Sequence, residues 1–448
     1  MLQDRQDQER MERERDVSGQ LPPGFRVNST PVAATAAANV NTGAVDIGAT
    51  AAAVVAPAVG EWYETWTAFP IEVVPFIQTR QGHKKIDLVR PSARIYSGAR
   101  NIPPGTTSPG DYMSLLCTDA MLQTFCDSTN SFVKVLSDIT KAGYAWTDDK
   151  PLIVVELKCY FGLLTYMGIH RLPQQRMYWS RTMYSSEFVR NAMPRKRFLA
   201  IQAFLHWTDT SGLSEQERAT RNRVDGFWTV ASYLDQLSDH YQYYYECYRF
   251  ISIDEMCIFF KGRHRCKNYN PNKPNKWHLK AFCLNDAKTG YLSCFFMYRG
   301  KDQERPADIP ATVFPVIKLT ANAMYHNKGY VLGTDNWYTQ LMVLLKMMDI
   351  GIDIVGTVKA NKKGLPKECM FPKKGRNVRL RGEMRSMTVA MPLRAGGTVP
   401  IYFTAWMDSK PVHMLSTFAP YQAECLRNRA TAAGGHEKAP CPQPLNQQ

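Results

Sequence analysis

From about Asp111 to Tyr248 apolar residues recur at spacings of three and four, the period of one helical face. The stretches DYMSLLCTDAMLQTFCDSTNSFVKVLSDITK, PLIVVELKCYFGLLTYMGIH, SEFVRNAMPRKRFLAIQAFLHW and VDGFWTVASYLDQLSDHYQYYYECY all carry it, so this block is predicted to be all-helical. At Phe250 the period changes to two. FISID reads as a short strand ending at Asp254, and HLKAFCL and YLSCFFMYR read as two strands joined by a turn over NDAKTG. After a Pro-containing, partly helical stretch, GYVLGTD reads as a fourth strand, TQLMVLLKMMDIG as a helix stopped by glycine, and DIVGTVKA as a fifth strand. MTVAMPL and VPIYFTAWMDSKPVHMLST then alternate like further strands.

Strand, strand, strand, helix, strand, helix, strand is the opening order of a ribonuclease-H-like fold. The predicted class is therefore α/β, a ribonuclease-H-like mixed sheet core with a preceding all-helical domain and a small β insertion. The expected boundaries are 1–60 disordered and Ala-rich, 61–249 helical, 250–368 the core with its five strands, 369–420 the β insertion, and 421–448 a disordered tail. Both ends lack the large side chains needed to offset their ordering entropy. The longest apolar run, Pro151 to His170, contains Glu156 and Lys158, which suits a buried helix better than a membrane span.

Charge sharpens this picture. The 448-residue chain carries a formal +15, and between Asp254 and Arg385 there are 24 Lys+Arg against 11 Asp+Glu. Nearly the whole excess thus sits in less than a third of the chain, a localised footprint that points to a polyanionic partner, nucleic acid first. The 11 cysteines include no C-x-x-C pair. Neither a zinc site nor a disulfide framework is readable, and the thiols are expected to be reduced and intracellular. No secretory pattern opens the chain.

Within the basic region two aspartates end strands: Asp254 the first and Asp335 the fourth. In a sheet of this order those strands are neighbours, so the two carboxylates can converge on one edge. A lone aspartate at a strand end more often caps the next turn; two in these places, beside the charge excess, favour a shared cation. Hard oxygen ligands open to water suit Mg²⁺ or Mn²⁺, ions that serve phosphoryl transfer, here in a two-metal site. Between the aspartates runs KGRHRCKNYNPNKPNKWHLK, with seven Lys+Arg, no acid, and Tyr269 and Trp277 interleaved. Its cations Lys261, Arg263, Arg265, Lys267, Lys273, Lys276 and Lys280, with Trp277, are candidate DNA contacts, because phosphates need cations and bases need flat faces. A solvated basic loop is the plainer alternative. A second basic stretch adds Lys359, Lys362 and Lys363.

The tract IDEMCIFFKGRHRCKNYNPNKPNKWHLK, followed by GTDNWYT and IVGTVKANKKGLPKE, resembles the piggyBac transposase family, including its domesticated derivatives. With PRKRFLAIQAFLHWTD and ELKCYFGLLTYMGI, which look like the family's dimerisation and DNA-binding region, the resemblance covers about residues 105–418. It implies a core of the DDE transposase type and a cut-and-paste enzyme acting at TTAA sites. It also implies double-stranded DNA at transposon ends and targets as partner, homodimerisation, no membrane association and a nuclear location. Asp254 and Asp335 fall on the family's first two catalytic, metal-holding aspartates, and Lys273, Pro274 and Lys276 within its basic loop. The family's third aspartate follows the β insertion in a tract resembling YN-x-x-x-GGVD, and no such tract occurs here. Asp408 aligns with an insertion strand and Glu424 is only a remote substitute; the family's Cys-rich tail is missing too. With two ligands of three, weak metal binding and impaired catalysis are expected.

Three readings follow: a DDE transposase; a non-catalytic, domesticated DNA-binding and dimerising protein; and an RNA-binding or structural basic protein. A third carboxylate near Asp254 and Asp335 favours the first, and its absence the second. Binding that ignores duplex ends supports the third. The run from Lys359 to Arg385 could serve nuclear import or face DNA.

Overall fold

The computed structural model describes residues 97–442, apart from 183–185, 301–304, 372–381, 393–397, 419–422 and 431–435. The disorder expected for 1–60 lies outside the described residues.

The helical block begins with α1 (Pro109–Leu116), α2 (Asp119–Lys134), α3 (Asp138–Gly143) and α4 (Val154–Ile169). It continues with α5 (Glu187–Ala192), α6 (Arg195–Phe204), α7 (Glu215–Val224) and α8 (Ala231–Tyr244). The long apolar stretches are divided where the chemistry requires it. Thr118 and Ser137 cap α2 and α3, and Pro194 stands immediately before α6. Helix α7 has almost no apolar face, yet Ser214 and Glu217 form a capping box that fixes its start. Phe125, Leu157, Phe198 and Ile201 form the centre of this block's core. The charges inside the apolar α4 also find a use. Glu156 takes two 2.6 Å hydrogen bonds from Arg197, whose guanidinium lies 4.1 Å from the centre of the Trp146 ring. Among the described residues no helix is long and apolar enough to cross a membrane.

Among the described residues the main sheet has nine strands: β1 (Phe250–Phe259), β2 (Asn268–Tyr269), β3 (Trp277–Asp286), β4 (Leu292–Met297), β5 (Val331–Thr334), β6 (Asp353–Thr357), β7 (Met384–Pro392), β8 (Thr398–Met407) and β9 (Pro411–Ser416). Their order is β2-β3-β1-β5-β6-β9-β8-β7, with β4 also paired to β3. Strands β1, β5 and β6 are mutually parallel, while β3 and β4 run antiparallel in a meander. The order β4-β3-β1-β5-β6 is the ribonuclease-H-like core. The short helices α9 (Phe314–Leu319) and α10 (Leu341–Asp349) lie in the β4–β5 and β5–β6 connections, and α10 buries Leu341, Val343, Leu344 and Met347 against one sheet face.

Three expectations are corrected. The first strand does not stop at Asp254: MCIFF continues the alternation and pairs with β3 as far as Phe259↔His278. The residues read as a separate insertion at 369–420 add to the same sheet, because β9 pairs antiparallel with β6, and Val389, Ile401 and Phe403 share the core of β1 and α10. Finally, the tail read as disordered over 421–448 contains an antiparallel pair, β10 (Ala423–Ala430) with β11 (His436–Pro442).

Candidate active site and nucleic-acid interface

The parallel trio β1, β5 and β6 brings three functional segments to one edge. The last β1–β5 register pair is Ile253↔Thr334, so the next residues along the two strands are Asp254 and Asp335. Both are exposed. Because parallel neighbours in register share a face, the carboxylates start from adjacent positions on one side of the sheet. At the same end of β6 the chain runs into Lys359, Lys362 and Lys363.

Local hydrogen bonds orient the pair. Asp254 Oδ1 accepts the Glu255 backbone N–H at 2.7 Å. Asp335 Oδ1 accepts the Trp337 N–H at 2.9 Å and the Tyr338 N–H at 3.4 Å, a turn that ties the acid to the segment leading into α10. These are the turn-capping contacts an ordinary aspartate makes, and each leaves the second carboxylate oxygen available. Two exposed carboxylates with spare oxygens fit one hydrated divalent ion, since Mg²⁺ is usually held by one or two carboxylates and keeps several waters. A fuller cage does not form: among the described residues no group of three His, Cys, Asp or Glu could hold a metal ion. Glu255 is engaged by Lys280, 2.8 Å away. Asp408 sits in the turn between β8 and β9, and Glu424 lies on β10.

Tyr338 was not foreseen. Its side chain is fully buried, and its hydroxyl lies against Glu255 without a well-formed hydrogen bond. Burial first, and then the charges of Glu255, Asp254 and Asp335, push the phenol well above its usual range. Leaving a buried hydroxyl unsatisfied costs about 1–3 kcal/mol. Tyr338→Phe is therefore expected to raise stability by about 1 kcal/mol in chemical denaturation; a loss of stability would mean that the hydroxyl bonds its neighbours.

The basic loop is a built element. His264 bonds the Gly226 carbonyl at 2.8 Å, Cys266 is buried beside Phe227, and Arg265 donates to the carbonyls of Asn222 and Arg223 at the end of α7. Arg265, taken from sequence as a DNA contact, is thus an anchor of the loop. Lys267 donates to the Gly262 carbonyl and lies 4.8 Å from the centre of the Trp277 ring. Trp277 in turn is 4.7 Å from Tyr269, its register partner. The turn between β2 and β3 presents Lys273 and Lys276 at an exposed tip, and Lys261 and Arg263 are also exposed. Lys280, also taken from sequence as a DNA contact, is half-buried: it pairs with Glu255 and lies near the rings of Phe282 and Trp337. Lys362 turns inward, donating to Gln340 and the Trp337 carbonyl at 3.4 and 3.5 Å. Burial, then Lys359, lower its pKa, and Asp335 works the other way.

A family model described as "Transposase IS4" matches residues 108–447. The chain is 26% identical over 262 residues to the human "PiggyBac transposable element-derived protein 3", covering 57% of this chain and 42% of that protein. It is 26% identical over 305 residues to the human "PiggyBac transposable element-derived protein 2", covering 65% and 47%. It therefore spans less than half the length of these curated relatives. Among solved structures, the chain resembles a piggyBac transposase in a synaptic complex with hairpin DNA, with a TM-score of 0.63, 21% identity, and coverage of 79% of this chain and 67% of that one. At that identity the likeness establishes the fold.

Proposed function

The chain belongs to the piggyBac transposase family, and from that premise we propose that it binds double-stranded DNA and holds a divalent cation, Mg²⁺ or Mn²⁺, between Asp254 and Asp335 for phosphodiester cleavage and strand transfer. The observation carrying this reading is the β1–β5 register, which gives the two acids consecutive places after Ile253↔Thr334. Supporting it is the convergence of the basic loop and the Lys359–Lys363 segment on the same end of the sheet. When bound, the ion would polarise the scissile phosphate and activate the attacking oxygen. This chain's own residues would orient the carboxylates through the Glu255, Trp337 and Tyr338 amides and neutralise the DNA backbone through Lys261, Arg263, Lys273 and Lys276. Preference for TTAA, pairing of two copies and action in the nucleus belong to this proposal.

A second reading, a DNA-holding protein without cleavage, is favoured by one observation: no third carboxylate joins the pair among the described residues. A nicking assay on labelled duplex with Mg²⁺ or Mn²⁺, comparing this chain with Asp254→Ala, separates the two. Metal-dependent nicking lost in the variant supports the first reading, and tight binding without nicking supports the second. For the DNA surface, Lys273→Ala with Lys276→Ala is expected to lower the slope of log affinity against log salt by about 2, because each phosphate contact contributes about 0.9. An unchanged slope would remove the loop tip from the interface.

A further inference from the structure

The turn that carries Asp335 is held from beneath by a buried hydroxyl. Thr339 is fully buried, and its Oγ1 lies 2.7 Å from the Asp335 carbonyl oxygen, 2.8 Å from Thr334 Oγ1 and 3.3 Å from the Thr334 carbonyl oxygen. A hydroxyl has one proton and two acceptor sites. The Thr339 proton goes to the nearer carbonyl, that of Asp335, which leaves the Thr334 hydroxyl to donate to Thr339 Oγ1. The Thr339 backbone N–H reaches the same Asp335 carbonyl at 3.0 Å, so Thr339 closes the turn twice. Strand β6 leaves room for the two hydroxyls: Gly356 is the register partner of Thr334, and a side-chain carbon there would meet both hydroxyls and the Thr334 carbonyl at less than van der Waals distance.

A buried threonine often bonds a carbonyl one turn back and does no more. Here that carbonyl belongs to one of the two strand-end acids. The Trp337 and Tyr338 amides that hold Asp335 Oδ1 lie inside the turn that Thr339 closes. Asp335 is thus gripped at its side chain by the amides and at its main chain by Thr339, and the two grips together set the direction of its Cα–Cβ bond. Resting on the reading of Asp254 and Asp335 as one cation site, we propose that Thr339 is a positioning residue for that site: its hydroxyl fixes the Asp335 backbone so that the second carboxylate oxygen meets the cation shared with Asp254. Partners of this kind, one bond removed from the ion, orient a ligand and so raise its affinity for the metal.

The test is Mn²⁺ affinity of the full chain, read from the paramagnetic resonance of the free ion. Thr339→Ala removes the hydroxyl and the methyl, and Thr339→Ser removes the methyl alone, so their difference isolates the hydroxyl. Thr339→Ala is expected to bind about tenfold more weakly, the effect of losing a group that orients a metal ligand, and Thr339→Ser to recover most of that loss. Without metal, hydrogen exchange over residues 335–340 should be faster in Thr339→Ala than in Thr339→Ser. Should Thr339→Ala not fold, Thr339→Cys, which offers only a weak donor in place of the hydroxyl, carries the same comparison and is expected to bind more weakly than Thr339→Ser. A folded Thr339→Ala that binds Mn²⁺ as the wild type does, or a Thr339→Ser as weak as Thr339→Ala, overturns the inference while the cation site stands. Wild-type binding no tighter than that of Asp335→Asn overturns the site and the inference with it.

Discussion

Asp335→Asn is expected to weaken Mn²⁺ binding by at least about tenfold, and Asp254→Asn by a similar factor. Replacing a group that merely orients a metal ligand already costs 10–100-fold, and here the charged ligand itself becomes a neutral amide. Of the two, Asp335 is the more firmly held, by two backbone N–H groups from the turn into α10, whereas Asp254 takes one from its own neighbour. An asparagine can keep those contacts through its carbonyl oxygen, so the substitution isolates charge from fold, and thermal unfolding without metal should stay close to that of the wild type. Paramagnetic resonance of free Mn²⁺ during a titration measures the loss directly. Wild-type affinity in both variants would show that the acids serve as turn caps and nothing more.

Phe125→Ala is expected to cost about 3–5 kcal/mol in the stability of the helical block. The ring is 1% exposed, and it is 3.7 Å from Trp207, 4.9 Å from Tyr233 and 6.4 Å from Phe161 between ring centroids. It thereby joins α2, α4, α8 and the segment after α6. Shrinking it leaves a cavity that aromatic neighbours, fixed by their own packing, cannot close. Denaturant unfolding followed by tryptophan fluorescence measures the effect. A cost below about 1 kcal/mol would mean that this cluster repacks freely.

The strand order of the core could be read from sequence because the change of period at Phe250 is local, and the order alone makes the first and fourth strands neighbours. The family resemblance was likewise carried by contiguous motifs. What required the structure was pairing over long distances. FISID seemed to end at Asp254 because a charge interrupts the apolar run, yet MCIFF continues the strand through its partner β3. Nothing local says that Pro411–Ser416 joins β6, so those strands were assigned to a separate insertion. Composition misled at the end of the chain, where Ala and Pro hide the strands β10 and β11. For the site, counting cations found the basic loop but could not show that Arg265 also braces α7 or that Lys280 pairs with Glu255. Tyr338 gave no sequence signal, since the acids it lies near, Asp254, Glu255 and Asp335, come from β1 and the β5–α10 turn. The capping box at Ser214 was a local signal for α7 that the apolar period alone does not reveal.

The central claim is that Asp254 and Asp335 form one cation site. Mn²⁺ affinity measured for the wild type, Asp254→Asn, Asp335→Asn and the double variant tests it most directly, because ligands of one ion are coupled. The account predicts that the double variant loses much less than the two single losses combined, since one substitution already dismantles the site. Losses that add independently, or single variants that bind as the wild type does, would contradict it.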